Sequence, residues 1–201
     1  MMDTCCEARP VPAAQRAVLQ ATLWINAVMF LFECGAGLAA HSTALLADSV
    51  DMLGDAIVYG FSLYAVGRGV VWQSRAAFLK GLVMAAFGLG VLLQVALKLT
   101  RGLAPAADTM GLAGLVALAA NLVCLRLLWQ HRGDDINMRS AWICSRNDVI
   151  GNVSVLAAAA AVGLSGSPWP DIIVGLLVAG VFCRSAFSVL SDAMRVRRLA
   201  T

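Results

Sequence analysis

Ionisable side chains inside two apolar segments are the residues of this sequence whose types and spacing could do chemistry. The first segment reads ALLADSVDMLGDAIVYG and places Asp51 and Asp55 four residues apart, so that on a helix both carboxylates project from one face. The second segment reads CSRND and repeats the spacing with Cys144 and Asp148. If the two helices pack side by side, three carboxylates and one thiol converge, which is the number and type of ligands that a tetrahedral divalent cation such as zinc accepts.

The thiol of Cys144 determines which cation such a site would prefer. Carboxylates alone suit a hard ion, whereas a thiolate shifts the preference toward zinc, cadmium or another soft metal. Taken alone, Cys144 would be read as a small hydrophobic residue, because that is the usual role of a buried cysteine. Its spacing from Asp148 is what marks it as a candidate ligand.

Further charged residues in the apolar segments are candidate accessory groups. Asp48 lies on the same helix face as Asp51, Glu33 lies in the preceding apolar segment, and Arg146 stands between Cys144 and Asp148. An ionisable group inside a bilayer costs at least ~2.5 kcal/mol, so such groups usually face a cavity or one another. Arg146 could neutralise one carboxylate as a packing device. Five acidic side chains exceed what one arginine can balance, so a bound cation or exchangeable protons are expected.

The composition is that of an integral membrane protein. The chain has 201 residues, of which 60% are hydrophobic and 13% charged, and a mean hydropathy of +0.80, whereas an average soluble domain has roughly 25% charged residues. The first sixteen residues contain no apolar core and therefore do not form a signal peptide. The six cysteines, four of them in apolar runs, are not a disulfide framework. A net charge of +3 does not imply a nucleic-acid partner.

Six apolar stretches predict an all-α membrane protein with six transmembrane helices. An even number of spans places both termini on one side, and that side collects twelve Lys and Arg residues against Lys98 and Arg101 on the other. The positive-inside rule then assigns both termini to the cytoplasm. The expected organisation is an N-terminal tail over 1–16, a transport domain over 17–192 and a short basic tail over 193–201. The predicted spans are 17–39, 44–67, 77–99, 109–130, 138–164 and 170–190.

Polar residues outside the two central segments have several possible roles. Cys5 and Cys6 could capture a soft metal at the cytoplasmic mouth, or they could be reduced thiols in an unstructured tail. His131 and Asp134 lie in the turn QHRGDD, where a solvated turn is expected rather than a path that guides cations. Asp171 opens the sixth helix, where an acidic residue complements the helix dipole and needs no transport role.

Three longer stretches together resemble the cation diffusion facilitator family of metal transporters. They read ECGAGLAAHSTALLADSVDMLGDA, RSAWICSRNDVIGNVSVL and WPDIIVGLLVAGVFCRSAFSVLSDA, and the resemblance covers about 17–192. It implies that Asp51, Asp55, Cys144 and Asp148 hold the metal in a cation diffusion facilitator-type transmembrane domain. It also implies that the protein exports zinc or cadmium from the cytoplasm in exchange for protons and is not an enzyme. The protein would be a homodimer in a bacterial inner membrane and would need no cofactor besides the transported ion.

Three departures from the family pattern accompany this resemblance. Cys144 stands where zinc transporters of the family usually have His. The thiol of Cys144 keeps a soft ligand at this position. The loop GRGVVWQSRAAFLKG contains no His, so the family's second site in this loop is expected to be absent. The sequence stops at Thr201, so the family's cytoplasmic C-terminal domain is expected to be absent and the homodimer to form through membrane helices.

Two other classes of protein fit parts of the sequence. A membrane subunit that binds or senses metal without moving it could use the same ligands. An intramembrane aspartyl protease would activate water with two membrane aspartates, but such enzymes resemble one another in a Gly-x-Gly-Asp segment. The segment MLGD at 52–55 lacks the first glycine, which argues against the protease.

Overall fold

The chain folds into six helices in the part that the structure, a computed structural model, describes. That part comprises residues 13–64, 70–101, 103–134 and 136–180, with Arg184 and Phe187. Helices therefore stand at all six predicted places. Helix α1 begins at Ala13, inside the predicted tail 1–16, while residues 1–12, the predicted tail 193–201 and most of 181–190 lie outside the described residues. The helices are α1 Ala13–Ala39, α2 Thr43–Tyr64, α3 Val70–Arg101, α4 Ala107–Trp129, α5 Ile136–Ser165 and α6 Trp169–Gly180.

Large apolar side chains face outward from this bundle, as expected for helices surrounded by lipid. Trp24, Leu31, Leu93, Leu115 and Leu177 are all exposed. Within the described residues α1, α4 and the 141–165 part of α5 are long and apolar enough to cross a membrane. The other apolar helical segments are shorter, and α2 combines membrane-spanning length with three aspartates.

The connections between helices gather at two ends of the bundle. At one end, here the α1–α2 end, the chain reverses through His41, whose φ of 52° is left-handed, and the Ser42 N–H donates to the Gly37 carbonyl at 2.9 Å. The segment before α4 joins this end, because the Ala106 N–H donates to the Ala40 carbonyl at 2.9 Å. The α4–α5 end holds the turn at 130–134.

Helix pairs pack closely where small residues meet. α1 packs along α2, and α4 packs along α5. A Cβ atom on Gly37 would lie 2.9 Å from Leu46 Cγ, and one on Gly114 would lie 3.1 Å from Leu156 Cδ2. These approaches explain the high glycine and alanine content of the helices, because the backbones come closer than larger side chains would allow.

Two apolar layers lie on either side of the middle of the bundle. The layer nearer the α4–α5 end contains Leu19, Tyr59, Leu128, Met138 and Ala141. Between the two layers α2 and α5 run past each other in opposite directions and carry the acidic residues. The layer nearer the α1–α2 end consists of Ala40, Ala44, Leu45, Met110, Ala113, Val155, Ala158 and Ala159.

Candidate metal site

Three carboxylates from two helices meet between the apolar layers. Asp51 and Asp55 on α2 and Asp148 on α5 each offer an oxygen, and these oxygens all lie within 4.8 Å of one another. Asp55 is 5% exposed and Asp148 2% exposed, while Asp51 is half-buried. The four-residue spacing on α2 puts both of its carboxylates on the face that meets α5. The structure thus brings together three of the four predicted ligands, here called the three-carboxylate cluster.

Cys144 lies one helical turn before Asp148 on α5 and is half-buried. Among the described residues, the three carboxylates have ligand atoms within 4.8 Å of one another, and the thiol of Cys144 is not part of that group. The four-residue spacing places Cys144 and Asp148 on the same face of α5. The role of Cys144 as fourth ligand therefore stays a prediction.

Tyr59 contacts the cluster and was not singled out from the sequence. Its hydroxyl donates to Asp55 Oδ2 at 2.7 Å and lies 3.3 Å from the Ala141 carbonyl oxygen, and the side chain is fully buried. Asp51, Asp55 and Tyr59 continue one four-residue repeat along α2, and that repeat is the signal that could have identified Tyr59. The hydroxyl of Tyr59 thus fixes the orientation of the Asp55 carboxylate.

Polar side chains without complete hydrogen bonding line the interior of α1, α4 and α5. Asn152 donates to the Asp148 carbonyl at 2.8 Å, but its Oδ1 has no partner among the described residues. The same holds for Oδ1 of Asn26, for both amide atoms of Asn121 and for the hydroxyl of Ser145. A buried unsatisfied polar group costs about 1–3 kcal/mol, so this interior is built for polar contents rather than for apolar packing.

Glu33 and Asp48 form a second acidic contact, here called the Glu33–Asp48 pair. Glu33 on α1 is 0% exposed, Asp48 on α2 is 1% exposed, and the two carboxyl groups interact directly. Within the described residues, no backbone or side-chain N–H group donates to either oxygen of Glu33 or to Oδ2 of Asp48. The structure thus brings together these two predicted accessory residues on the α1–α2 side of the cluster.

The other predicted accessory residues lie away from the three-carboxylate cluster or outside the described residues. Arg146 is exposed, and its guanidinium carbon lies 5.5 Å from the centroid of the Trp142 ring. In the described part of the chain, no ion pair joins Arg146 to a carboxylate. Cys5 and Cys6 lie outside the described residues.

Asp171 on α6 has a structural role beyond the predicted one, because it also contacts α2. Its carboxylate accepts hydrogen bonds from the first backbone N–H groups of α2, from Thr43 at 2.8 Å and from Ala44 at 3.1 Å. Ser42 and Thr43 hydroxyls also donate to it, and the buried ammonium of Lys98 on α3 pairs with it. The carboxylate therefore stabilises the start of α2, and it also stands in the first turn of its own helix, where its predicted role stays a prediction. We call this set the Asp171 network.

A smaller polar contact closes the α4–α5 end. His131 Nδ1 lies 2.8 Å from Asp134 Oδ2, and Gln15 Nε2 on α1 donates to the same oxygen at 3.0 Å. The hydrogen bonds from His131 and Gln15 hold the pKa of Asp134 below its ordinary value. The predicted solvated turn is thus tied to α1 by one exposed carboxylate.

The architecture and the cluster together define a class of protein. A helical bundle with apolar side chains outside and carboxylates from two neighbouring helices inside is a membrane protein with a candidate cation site. The family model described as the cation efflux transmembrane domain matches residues 19–196. The chain belongs to this family, the cation diffusion facilitators, which are metal transporters and not enzymes.

Curated relatives agree with this membership. The zinc transporter ZitB of Pectobacterium atrosepticum is 31% identical over 191 residues, which cover 88% of this chain and 59% of ZitB. The metal cation efflux system protein CzcD of Cupriavidus metallidurans is 21% identical over 179 residues, which cover 83% of this chain and 57% of CzcD. The chain thus spans less than two thirds of the length of these relatives.

Proposed function

We propose that this protein moves a divalent metal cation out of the cytoplasm through the three-carboxylate cluster. The observation that carries the proposal is the convergence of Asp51, Asp55 and Asp148 within 4.8 Å between two apolar layers. Similarity to proteins described as a zinc transporter and a metal cation efflux system supports zinc or a related ion as the substrate.

The charge balance of the cluster favours a cation as its ligand. Three carboxylates that converge in a bilayer repel one another, and separating each from water is costly. The buried ammonium of Lys98 is already paired with Asp171, and Arg146 faces outward. A divalent cation or protons would supply the missing positive charge, and exchange between the two is the basis of the proposed transport.

Proton exchange follows from the chemistry of the ligands. A protonated carboxyl group or thiol binds metal poorly, so protons that reach the cluster would displace the cation. The apolar layers enclose the cluster on both sides, and alternating access would open them one at a time. Tyr59 belongs to the layer nearer the α4–α5 end and also holds Asp55, so opening that layer would change the coordination of the ion.

The proposed topology places all six helices across a bacterial inner membrane with both termini in the cytoplasm. Under this topology the α1–α2 end faces away from the cytoplasm and the α4–α5 end faces it. The described apolar helices and the family membership support this placement. The assembly is proposed to be a homodimer formed through membrane helices, with 17–192 as the transport domain between the tails 1–16 and 193–201.

Transport in reconstituted vesicles tests the proposed function. Zn²⁺ and Cd²⁺ uptake driven by a pH gradient would be compared for the parent, Asp51→Asn and Asp148→Asn. Each variant is expected to transport at least ~10-fold more slowly, because it loses a charged ligand. Asp108→Asn is the matched control, since Asp108 is an exposed acidic residue in the first turn of α4. Parent rates in both cluster variants would refute the proposed site.

The same assay addresses the role of Cys144. Cys144→His is expected to preserve transport and to change the ratio of the Zn²⁺ and Cd²⁺ rates, because imidazole replaces the softer thiolate. An unchanged ratio would count against a ligand role for Cys144. Metal binding without uptake in the parent would instead indicate a binding or sensing subunit.

A further inference from the structure

We propose that Glu33 and Asp48 form a second cation-binding position, separate from the three-carboxylate cluster and nearer the α1–α2 end. It would hold a divalent cation through carboxylate oxygens, with water completing the coordination shell. The inference rests on the proposed function, because it adds a second position to the same transport path.

The position of the pair along α2 places it next in line after the cluster. Asp55, Asp51 and Asp48 follow one another along the same helix toward the α1–α2 end. Three residues of helix correspond to a rise of about 4.5 Å, so Asp48 lies roughly that far beyond Asp51. Glu33 on the buried face of α1 faces Asp48. An ion that leaves the cluster toward this end therefore meets two further carboxylates.

The lack of donors distinguishes the pair from a structural contact. Both oxygens of Glu33 and one of Asp48 have no N–H partner in the described part of the chain, although the two side chains are 0% and 1% exposed. The Asp171 carboxylate, in the same bundle, receives backbone, hydroxyl and ammonium donors. A carboxylate that serves packing is expected to be satisfied in this way. Two facing carboxyl groups without N–H donors can share a proton, and a divalent cation can take the place of that proton.

Gly151 leaves room for Asp48 beside α5. A Cβ atom at this position would lie 3.2 Å from Asp48 Oδ1, closer than side chains normally approach. Gly151 follows Asp148 by three residues, on the adjoining turn of α5. The α5 face that carries the cluster thus remains clear of side-chain atoms where Asp48 approaches it.

The ligand chemistry predicts weaker binding at the pair than at the cluster. Two carboxylates supply at most four oxygens, and a divalent cation held by so few protein ligands keeps several waters. Passage of an ion requires sites that bind and also release, and a second, weaker position favours release. The pair would therefore receive the ion from the cluster and pass it toward the α1–α2 end.

Counting the bound ions tests the proposal. The purified full chain in lipid nanodiscs would be dialysed against Cd²⁺ over a range of concentrations. The parent is expected to bind two ions per chain, one tightly and one at least ~10-fold more weakly. Glu33→Gln is expected to remove the weaker ion and to leave the affinity for the tighter one within about threefold of the parent value. Asp108→Asn is the control and should retain both ions.

A second variant keeps the test independent of folding. Gly151→Ala introduces a methyl group beside Asp48 without removing a carboxylate and is expected to weaken the second ion selectively. Retention of the tighter ion in Glu33→Gln shows that this variant is folded. One ion in the parent, two ions in Glu33→Gln, or loss of both ions in Glu33→Gln would each overturn the proposal.

Two further measurements separate the inference from its alternatives. If the parent binds a single ion and Glu33→Gln only lowers the number of protons released per ion, the pair binds a proton and the inference is wrong. The proposed function fails instead when Asp51→Asn and Asp148→Asn transport at parent rates. If the parent binds one ion per chain and Asp51→Asn and Asp148→Asn transport slowly, the second cation position is wrong and the proposed function stands.

Discussion

Two regions of this protein bury carboxylates in opposite ways. In the Asp171 network the carboxylate accepts bonds from Thr43 and Ala44 N–H groups, from hydroxyls and from Lys98. In the three-carboxylate cluster the side chains face one another, and a tyrosine hydroxyl is the donor seen at Asp55. The network contains its own counter-charge in Lys98, whereas the cluster, under the proposed function, would take its positive charge from a cation or from protons.

The difference arises from where each carboxylate stands along the helices. A helix exposes free backbone N–H groups in its first turn, and Asp171 meets the first turn of α2. In the middle of a helix every N–H is already bonded within the helix, and no water is present in the bilayer core to replace it. A carboxylate at mid-helix thus depends on side chains or on an ion, which is why the same residue type is structural at one depth and functional at another.

The largest effect is expected from Asp171→Ala. The substitution leaves the ammonium of Lys98 buried and unpaired, and breaking a buried ion pair in this way costs about 3–5 kcal/mol in the free energy of unfolding. Unfolding of the reconstituted or detergent-solubilised protein measures this cost. The double variant Asp171→Ala with Lys98→Met should recover part of it, because no unpaired charge remains. A loss below about 1 kcal/mol would show that the network is not structural.

Asp148→Asn should act on stability in the opposite direction. Without metal the variant is expected to be at least as stable as the parent, because one of three mutually repelling carboxylates is removed. The parent should gain about 2.7 kcal/mol when Zn²⁺ is present at 100 times its Kd, and the variant should lose this gain. Unfolding with and without Zn²⁺ measures both quantities. A metal-free variant less stable than the parent would place Asp148 with the structural carboxylates.

Gly175→Ala disturbs the Asp171 network without changing any charge. A Cβ atom on Gly175 of α6 would lie 2.8 Å from the carbonyl carbon of Thr43, so α6 must move away from the first turn of α2. The expected loss is about 2 kcal/mol in the free energy of unfolding, with little effect on metal affinity. Gly180→Ala is the matched control, because nothing lies within 4 Å of its added Cβ and alanine favours the helix. Equal effects of the two substitutions would contradict the close packing.

The contacts within one helix were accessible from the sequence, and several contacts between helices were not. The four-residue spacing of Asp51 and Asp55 predicted a shared face, and the structure places Asp148 against that face. Tyr59 follows the same spacing and could have been included. Which helix end Asp171 would meet could not be predicted, because its contact with Thr43 joins residues 128 positions apart.

Lys98 shows a second limit of sequence reasoning. The count of positive charges placed it on the side away from the termini, at the end of the predicted span 77–99. The structure instead buries its side chain completely against Asp171. A count of charges along the chain can place Lys98 near the end of a helix. It cannot predict that Asp171 pairs with Lys98, because this contact depends on how α3 and α6 pack.

Tyr59→Phe tests how much the hydroxyl of Tyr59, which donates to Asp55, contributes to metal binding. Losing the hydroxyl frees Asp55 Oδ2 from its 2.7 Å hydrogen bond and leaves the carboxylate less well oriented. The expected cost is about 1 kcal/mol, which corresponds to about fivefold weaker metal binding. Titration of the nanodisc-embedded protein with Cd²⁺ measures the change. Unchanged affinity would indicate that Asp55 is oriented by the packing of α2 against α5 alone.

The smallest effect is expected at the exposed carboxylate of Asp134. Hydrogen bonds from His131 and Gln15 lower its pKa in the folded protein, so its contribution to stability is present above the unfolded pKa of ~3.9 and is lost as the pH falls through the folded value. The difference in unfolding midpoint between the parent and Asp134→Asn should therefore be constant near neutral pH and shrink as the pH is lowered below about 4. High salt should reduce it as well, because the pair is open to solvent. A difference that persists unchanged in acid would mean that the turn is tied to α1 by packing.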